Sequence, residues 1–242
     1  MRATNWEFKN RALVFGLIFG CAFALYVLDP QNSSAALANW LEAKFRIDAN
    51  LIARLLFALA VCFLVGAALF RSWASSYLRA NVVYASEVKT ASLVADGPYR
   101  RVRNPLYFAN VLMAAGMGAL MSRSGFFVVI APMLAFCYRL ILREERDLQA
   151  SQGEHYNRYR NAVPRLWPAL TPRTASTGRQ ANWMAGFKAE FWCWGFAIGI
   201  AAFAITLNTT VFFVILTASV FLLWLSTLLI QRSSHGARPT DS

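Results

Sequence analysis

Two polar stretches hold the side chains whose types could do chemistry. The first, GPYRRVRNPLYF at 97–108, gathers three arginines, two prolines and two tyrosines immediately before an apolar run. Such density beside a membrane is either an orientation signal or a binding site. The second, RLILREERDLQASQGEHYNRYRNAVPRLWP at 139–168, sets Glu144 and Glu145 beside Arg139, Arg143 and Arg146. Orientation follows Lys and Arg in short loops rather than acids, so two carboxylates at the end of an apolar span need their own account. On a helix continuing from that span, Arg139 and Arg143 are four apart and Glu145 and Leu148 three apart, each pair sharing a face. A solvated exit helix with local ion pairs would explain most of this spacing, which leaves both readings open.

The elements that must position these residues are apolar. Of 242 residues, 57% are hydrophobic, and the mean hydropathy is +0.41, too apolar for an ordinary soluble domain of this length. A helix needs about 17–25 apolar residues to cross the hydrocarbon of a bilayer. Four stretches meet this, 12–28, 51–70, 191–207 and 211–230, and a shorter pair at 106–121 and 125–142, separated by SRSG, reads as a tight helical hairpin. Six crossings are expected. The first apolar run passes into DPQNSS without a small-residue cleavage site and reads as a retained helix rather than a leader.

Charge gives the expected orientation. The formal net charge is +12. Six basic residues fall in the connection 71–104 and eight in 143–190, against Arg123 alone between the hairpin arms and none in NTT at 208–210. The even-numbered connections, both termini and both polar stretches are therefore expected on the cytoplasmic face. No nucleic-acid module accompanies the basic residues, and orientation plus attraction to anionic headgroups suffices for most of them. Arg54, four residues into the second span, is expected to snorkel. Cys21, Cys62, Cys137 and Cys193 all lie in apolar runs without paired spacing, so they read as small core-facing residues. Only His155 and His235 occur, which leaves no histidine-based metal centre in view.

Taken in order, these residues resemble the isoprenylcysteine carboxyl methyltransferase and phospholipid methyltransferase family of integral-membrane enzymes. The pattern of that family, Gly-x-Tyr, Arg-His-Pro-x-Tyr, a Glu-Glu pair followed by Leu, and Tyr-x-x-Tyr ending near prolines, reads here as Gly97 and Tyr99; Arg103, Pro105 and Tyr107; Glu144, Glu145 and Leu148; Tyr156 and Tyr159; Pro164 and Pro168. The match covers roughly 80–170. It implies an all-α, multi-pass membrane protein of about six transmembrane helices. A cytoplasm-facing catalytic pocket would be roofed by the segment after the last catalytic helix. The implied methyl donor is S-adenosylmethionine, and the implied acceptor a hydrophobic molecule entering from the lipid: a prenylated cysteine carboxylate, an ethanolamine-type lipid amine or a small thiol. Tyr99, Arg103, Asn104, Pro105, Tyr107, Glu144 and Glu145 are the implied cofactor wall. Arg103 and Glu145 are the catalytic candidates, Glu145 as base if the acceptor must lose a proton.

Three positions depart from the pattern. Asn104 replaces the histidine and cannot become cationic; Ala109 stands where glycine is usual, and Ala162 where a basic residue often precedes Val-Pro. These motivate an alternative, a non-catalytic membrane protein of the same fold that binds a lipid or partner. The expected organisation is 1–80 as N-terminal transmembrane helices, 81–170 as the motif region, 171–190 as a linker and 191–242 as a C-terminal helix pair and tail. GMG at 116–118 reads as close helix packing. Gly16-x-x-x-Gly20 and Gly195-x-x-x-Gly199 suit internal contacts or a homodimer face.

Overall fold

A computed structural model describes residues 2–78, 94–219 and 221. Arg79, Lys89, His235, the basic residues Arg232 and Arg238 and most of the second half of the last expected span lie outside the described residues. The chain is a helical bundle. Its elements are α1 (Asn5–Lys9), α2 (Arg11–Ala24), α3 (Ser33–Phe45), α4 (Ala49–Tyr77), α5 (Pro105–Gly118), α6 (Arg123–Ala162), α7 (Trp183–Ala189), α8 (Phe191–Thr206) and α9 (Thr209–Ser219). Helix α4 is the central post, packed against α3, α5, α7 and α8, while α6 packs against α5 and α2.

By length and composition, α4 and α6 can cross a bilayer, and α7 with α8, bent by 64°, make a third if they count as one span. The other apolar helices are shorter. The 14 residues of α5 rise only about 21 Å at 1.5 Å per residue, against about 30 Å of hydrocarbon. Among the described residues, membrane-helix character is thus clear in two to three elements, where six crossings were expected.

Small residues let α4 and α5 approach closely, with Ala60, Leu64, Ala67 and Ala68 buried on one side and Ala109, Met113, Ala114 and Met117 on the other. A Cβ on Gly116 would lie 2.6 Å from the Leu64 Cγ and 2.9 Å from the Ala60 carbonyl oxygen. Gly195 and Gly199 meet Ser219 and Phe212 in the same way, whereas Gly16 and Gly20 face open space. Cys137 and Cys193 are buried; Cys21 and Cys62 are exposed.

The α5–α6 hairpin is tied at its turn by the preceding connection. Terminal helix carbonyls have no intrahelical partner, and Ser33 Oγ donates to the Gly118 carbonyl (3.0 Å), Ser34 Oγ to Ala119 (2.9 Å) and Tyr26 to Leu120 (2.7 Å). Arg54 is held on the carbonyl of Ile205 (2.6 Å) at the end of α8, where a cation meets the negative end of the helix dipole.

At the opposite end, α6 breaks at Gly153, whose φ of 53° and ψ of −125° suit a residue without Cβ. The chain folds back there: Gln149 Nε2 donates to Asn157 Oδ1 (2.6 Å) and Arg160 to Gln149 Oε1 (3.1 Å). This reversal brings Tyr156, Tyr159 and Val163 against Leu148 and Ala95.

Candidate active site

Both polar stretches meet at this end of the bundle. Gly97 opens the first with a φ of 58°, and a Cβ there would fall 2.3 Å from the Tyr77 ring. Glycine therefore satisfies the backbone and the close approach together. The turn Gly97–Arg100 follows, and Pro105 then starts α5 at a position where a missing N–H costs nothing.

Glu144 and Glu145 are neighbours on α6 and therefore point about 100° apart. The carboxylate of Glu145, buried at 7% exposure, collects cations: Arg103 Nη2 reaches Oε1 at 3.3 Å, Arg165 Nη2 and Nε reach Oε2 at 3.0 and 3.1 Å, and Asn104 Nδ2 reaches Oε1 at 3.2 Å. Asn104 Nδ2 also donates to the Arg165 carbonyl at 3.0 Å. Glu144 is half-buried and differently partnered, with the Tyr107 hydroxyl donating to its Oε1 at 2.6 Å.

Arg103 carries the most telling atoms. Its side chain is 8% exposed, and among the described residues its Nε and Nη1 are buried without a hydrogen-bond partner. A buried cationic donor left unpaired costs free energy, and a guanidinium N–H is a charge-assisted donor suited to a carboxylate. Arg103 thus pairs with Glu145 through one nitrogen and keeps two for something else.

A strap covers this cluster. Residues 163–173 run along 100–103 through backbone bonds from Arg103 N to the Pro164 carbonyl (2.9 Å), Ala169 N to Arg101 (2.9 Å) and Arg173 N to Arg100 (2.7 Å). Arg101 adds its guanidinium to the Leu170 carbonyl. The far end of the strap is fastened to Asp96, which accepts from Ser176 Oγ (2.6 Å), the amides of Thr177 (2.9 Å) and Arg179 (3.2 Å), and the Thr177 hydroxyl. Burial works against the charge on Asp96, but these donors outweigh it and hold its pKa down to about 2. Tyr159 donates to the Tyr99 carbonyl at 2.8 Å, joining the fold-back of α6 to the turn. Burial drives the Tyr99 hydroxyl far above its usual range, with the neighbouring Tyr159 and Glu144 adding to the shift, so Tyr99 stays neutral.

The structure therefore gathers Arg103, Asn104 and Glu145 into one contact set and Tyr107 with Glu144 into an adjacent one, with Tyr99 between the turn and α6. Sequence reasoning missed Arg165. The motif led attention to Ala162, before Val163-Pro164; the basic group sits just past that pair and reaches back to Glu145. It also missed Asp96 and a buried network in α4. Arg71, counted by sequence among the basic connection residues, lies inside α4, with Nε on Glu190 Oε2 at 2.5 Å and Nη1 on Asn110 Oδ1 at 2.6 Å. Ser75 donates to Glu190 Oε1 at 2.7 Å. An acid at 190 in a stretch of charged residues gives no sign of being wholly buried. Among the described residues, no group of three or more His, Cys, Asp or Glu could hold a metal ion.

Comparison with known proteins agrees with the motif. Residues 55–154 match the family model described as phospholipid methyltransferase. Over that segment the chain is similar to this family of integral-membrane methyltransferases, in line with its motifs. The family implies methyl transfer in general, and every residue of the cluster except Arg165 falls within the match.

Two curated proteins are similar. The cobalt-zinc-cadmium resistance protein CzcN of Cupriavidus metallidurans is 29% identical over 135 residues, which cover 56% of this chain and 59% of that protein. The nickel-cobalt-cadmium resistance protein NccN of Alcaligenes xylosoxydans xylosoxydans is 29% identical over 89 residues, covering 37% and 42% respectively. The chain thus spans about half the length of the curated relatives it matches. No solved structure matches it.

Proposed function

We propose that this protein transfers a methyl group from S-adenosylmethionine to a lipid or other small hydrophobic acceptor at the cytoplasmic face of a membrane. The observation that carries the reading is Arg103: a buried guanidinium with two unpaired donors, inside the segment that matches a methyltransferase family. Bound S-adenosylmethionine supplies an electrophilic methyl group on a sulfonium. Its amino-acid carboxylate suits an unpaired guanidinium donor of Arg103, with Tyr99, Asn104, Pro105, Tyr107, Glu144 and Glu145 forming the surrounding wall.

The residues of the chain then have distinct tasks. Glu145 fixes Arg103 by its Nη2 and neutralises Arg165. Asn104 ties the strap to Glu145 with one amide nitrogen, a task that needs a donor but no charge, which is compatible with asparagine in place of the histidine of the family. The strap keeps water from the cluster. In such a displacement most of the rate comes from alignment of the reacting groups in a dry site.

The test is transfer of labelled methyl from S-adenosylmethionine by the purified protein in lipid vesicles. Label in a hydrophobic product that disappears on Arg103→Leu is expected. A folded protein that transfers no label to lipid, thiol or prenylcysteine acceptors would support the alternative of a non-catalytic, lipid- or partner-binding member of the fold. The names of the relatives add resistance to cobalt, zinc, cadmium and nickel. Carried over to this chain, that would make methylation a contribution to metal tolerance, which the metal sensitivity of cells lacking the protein would test.

A further inference from the structure

The two carboxylates of the site are not equivalent. Glu145 has both oxygens occupied, by Arg103 and Asn104 on Oε1 and by Arg165 on Oε2. Its two oxygens are committed to holding two guanidiniums and an amide. Glu144 has one hydrogen bond among the described residues, from Tyr107 to Oε1, and its Oε2 carries none. The two also face different surroundings. Glu145 lies under the strap. Tyr107, which holds Glu144, belongs to the main apolar cluster with Phe136, Cys137, Leu140 and Ile141, so Glu144 stands beside apolar surroundings.

We infer that Glu144, oriented by the Tyr107 hydroxyl, takes the proton of the methyl acceptor, and that the acceptor is a protic nucleophile, an amine or a thiol, on an apolar body. This rests on the methyl-transfer reading above. The acceptor N–H or S–H bond breaks and its proton passes to Glu144 Oε2. The lone pair so freed forms the new bond to the methyl carbon of the sulfonium donor, whose C–S bond breaks with its electron pair left on a neutral thioether. A carboxylate acceptor would have no such proton and would leave Glu144 without a task. The charged and titratable groups facing Glu144 are Arg11 from α2, Tyr99 from the turn before α5, Tyr107 from α5, and Cys137, Arg143 and Asp147 from its own helix.

The experiment measures kcat and KM against pH for the parent, Glu144→Gln, Glu144→Asp and Tyr107→Phe. The probes are dodecanethiol and dioleoylphosphatidylethanolamine in phosphatidylcholine vesicles, with N-acetyl-S-farnesylcysteine as the carboxylate probe. Glu144→Gln should lower kcat at pH 7 by about 10²–10⁴. With the thiol, the deficit should shrink as pH rises toward the ordinary pKa of the thiol, where the acceptor ionises unaided. Glu144→Asp should recover part of kcat, and Tyr107→Phe should lose less than Glu144→Gln. Three results would overturn the assignment: parent-like kcat in Glu144→Gln, a loss that is the same at every pH, or preferential methylation of the farnesylcysteine carboxylate. If the parent labels none of the probes, the methyl-transfer reading fails and this assignment falls with it; if the parent labels them and Glu144→Gln does so equally, only the assignment fails.

Discussion

At the scale of single residues, the site is organised by who neutralises whom. Two adjacent glutamates of one type and one helix differ because a step of about 100° sends one under the strap and the other against α5. The residue types of the cluster were legible in the sequence, since Arg103, Asn104, Tyr107, Glu144 and Glu145 belong to an ordered motif. Their pairing was not, because a motif gives order along the chain and not the direction of a side chain. Arg165 illustrates the gap: it sits outside the pattern, and the bonds from Arg103 N to the Pro164 carbonyl and from Asn104 Nδ2 to its own carbonyl bring it over Glu145. Asp96 makes a prediction at this scale. Its pKa is held near 2 against an ordinary 3.8, so its hold on the strap is complete above about pH 4 and is lost as pH falls toward 2. Hydrogen exchange at the Thr177 and Arg179 amides should show steady protection from neutral pH to about 4.5 and a decline below it. Asp96→Asn should remove that acid dependence; protection independent of pH in the parent would contradict the assignment.

At the scale of elements, hydropathy located the apolar runs but not their ends. It stopped the second span near residue 70, whereas α4 continues to Tyr77 and carries Arg71 inside the bundle. A charge at the edge of an apolar window looks like a loop residue, and its partner Glu190 lies 119 positions away. The same blindness applies to Gly153, where a reversal depends on one residue without Cβ. The Arg71–Glu190 pair joins α4 to the α7–α8 break, and removing one member of a buried ion pair leaves the other uncompensated. Glu190→Ala should therefore destabilise the detergent-solubilised protein by about 3–5 kcal/mol, whereas Arg71→Met with Glu190→Leu should cost much less. Chemical unfolding of the two variants checks this. Equal losses would mean that the pair itself contributes the stability.

At the scale of the whole molecule, the segment 55–154 supplies the family match, but the site is completed from beyond it. Arg165 and the strap come after that segment, and α7 and α8 pack on α4 from further still. The all-helical, membrane-type character was legible in composition and apolar run length. The number of crossings was less so: among the described residues two to three elements are long and apolar enough to cross, where six were expected. The central claim is that Arg103 holds the carboxylate of S-adenosylmethionine, and it is tested most directly by calorimetric titration of that donor into the purified, folded protein and its Arg103→Leu variant. The account predicts saturable binding by the parent, weakened at least about tenfold in the variant, since a charge-assisted hydrogen bond contributes about 1.5–3 kcal/mol and 1.4 kcal/mol is a factor of ten. No binding by the folded parent, or equal binding by both proteins, would contradict it.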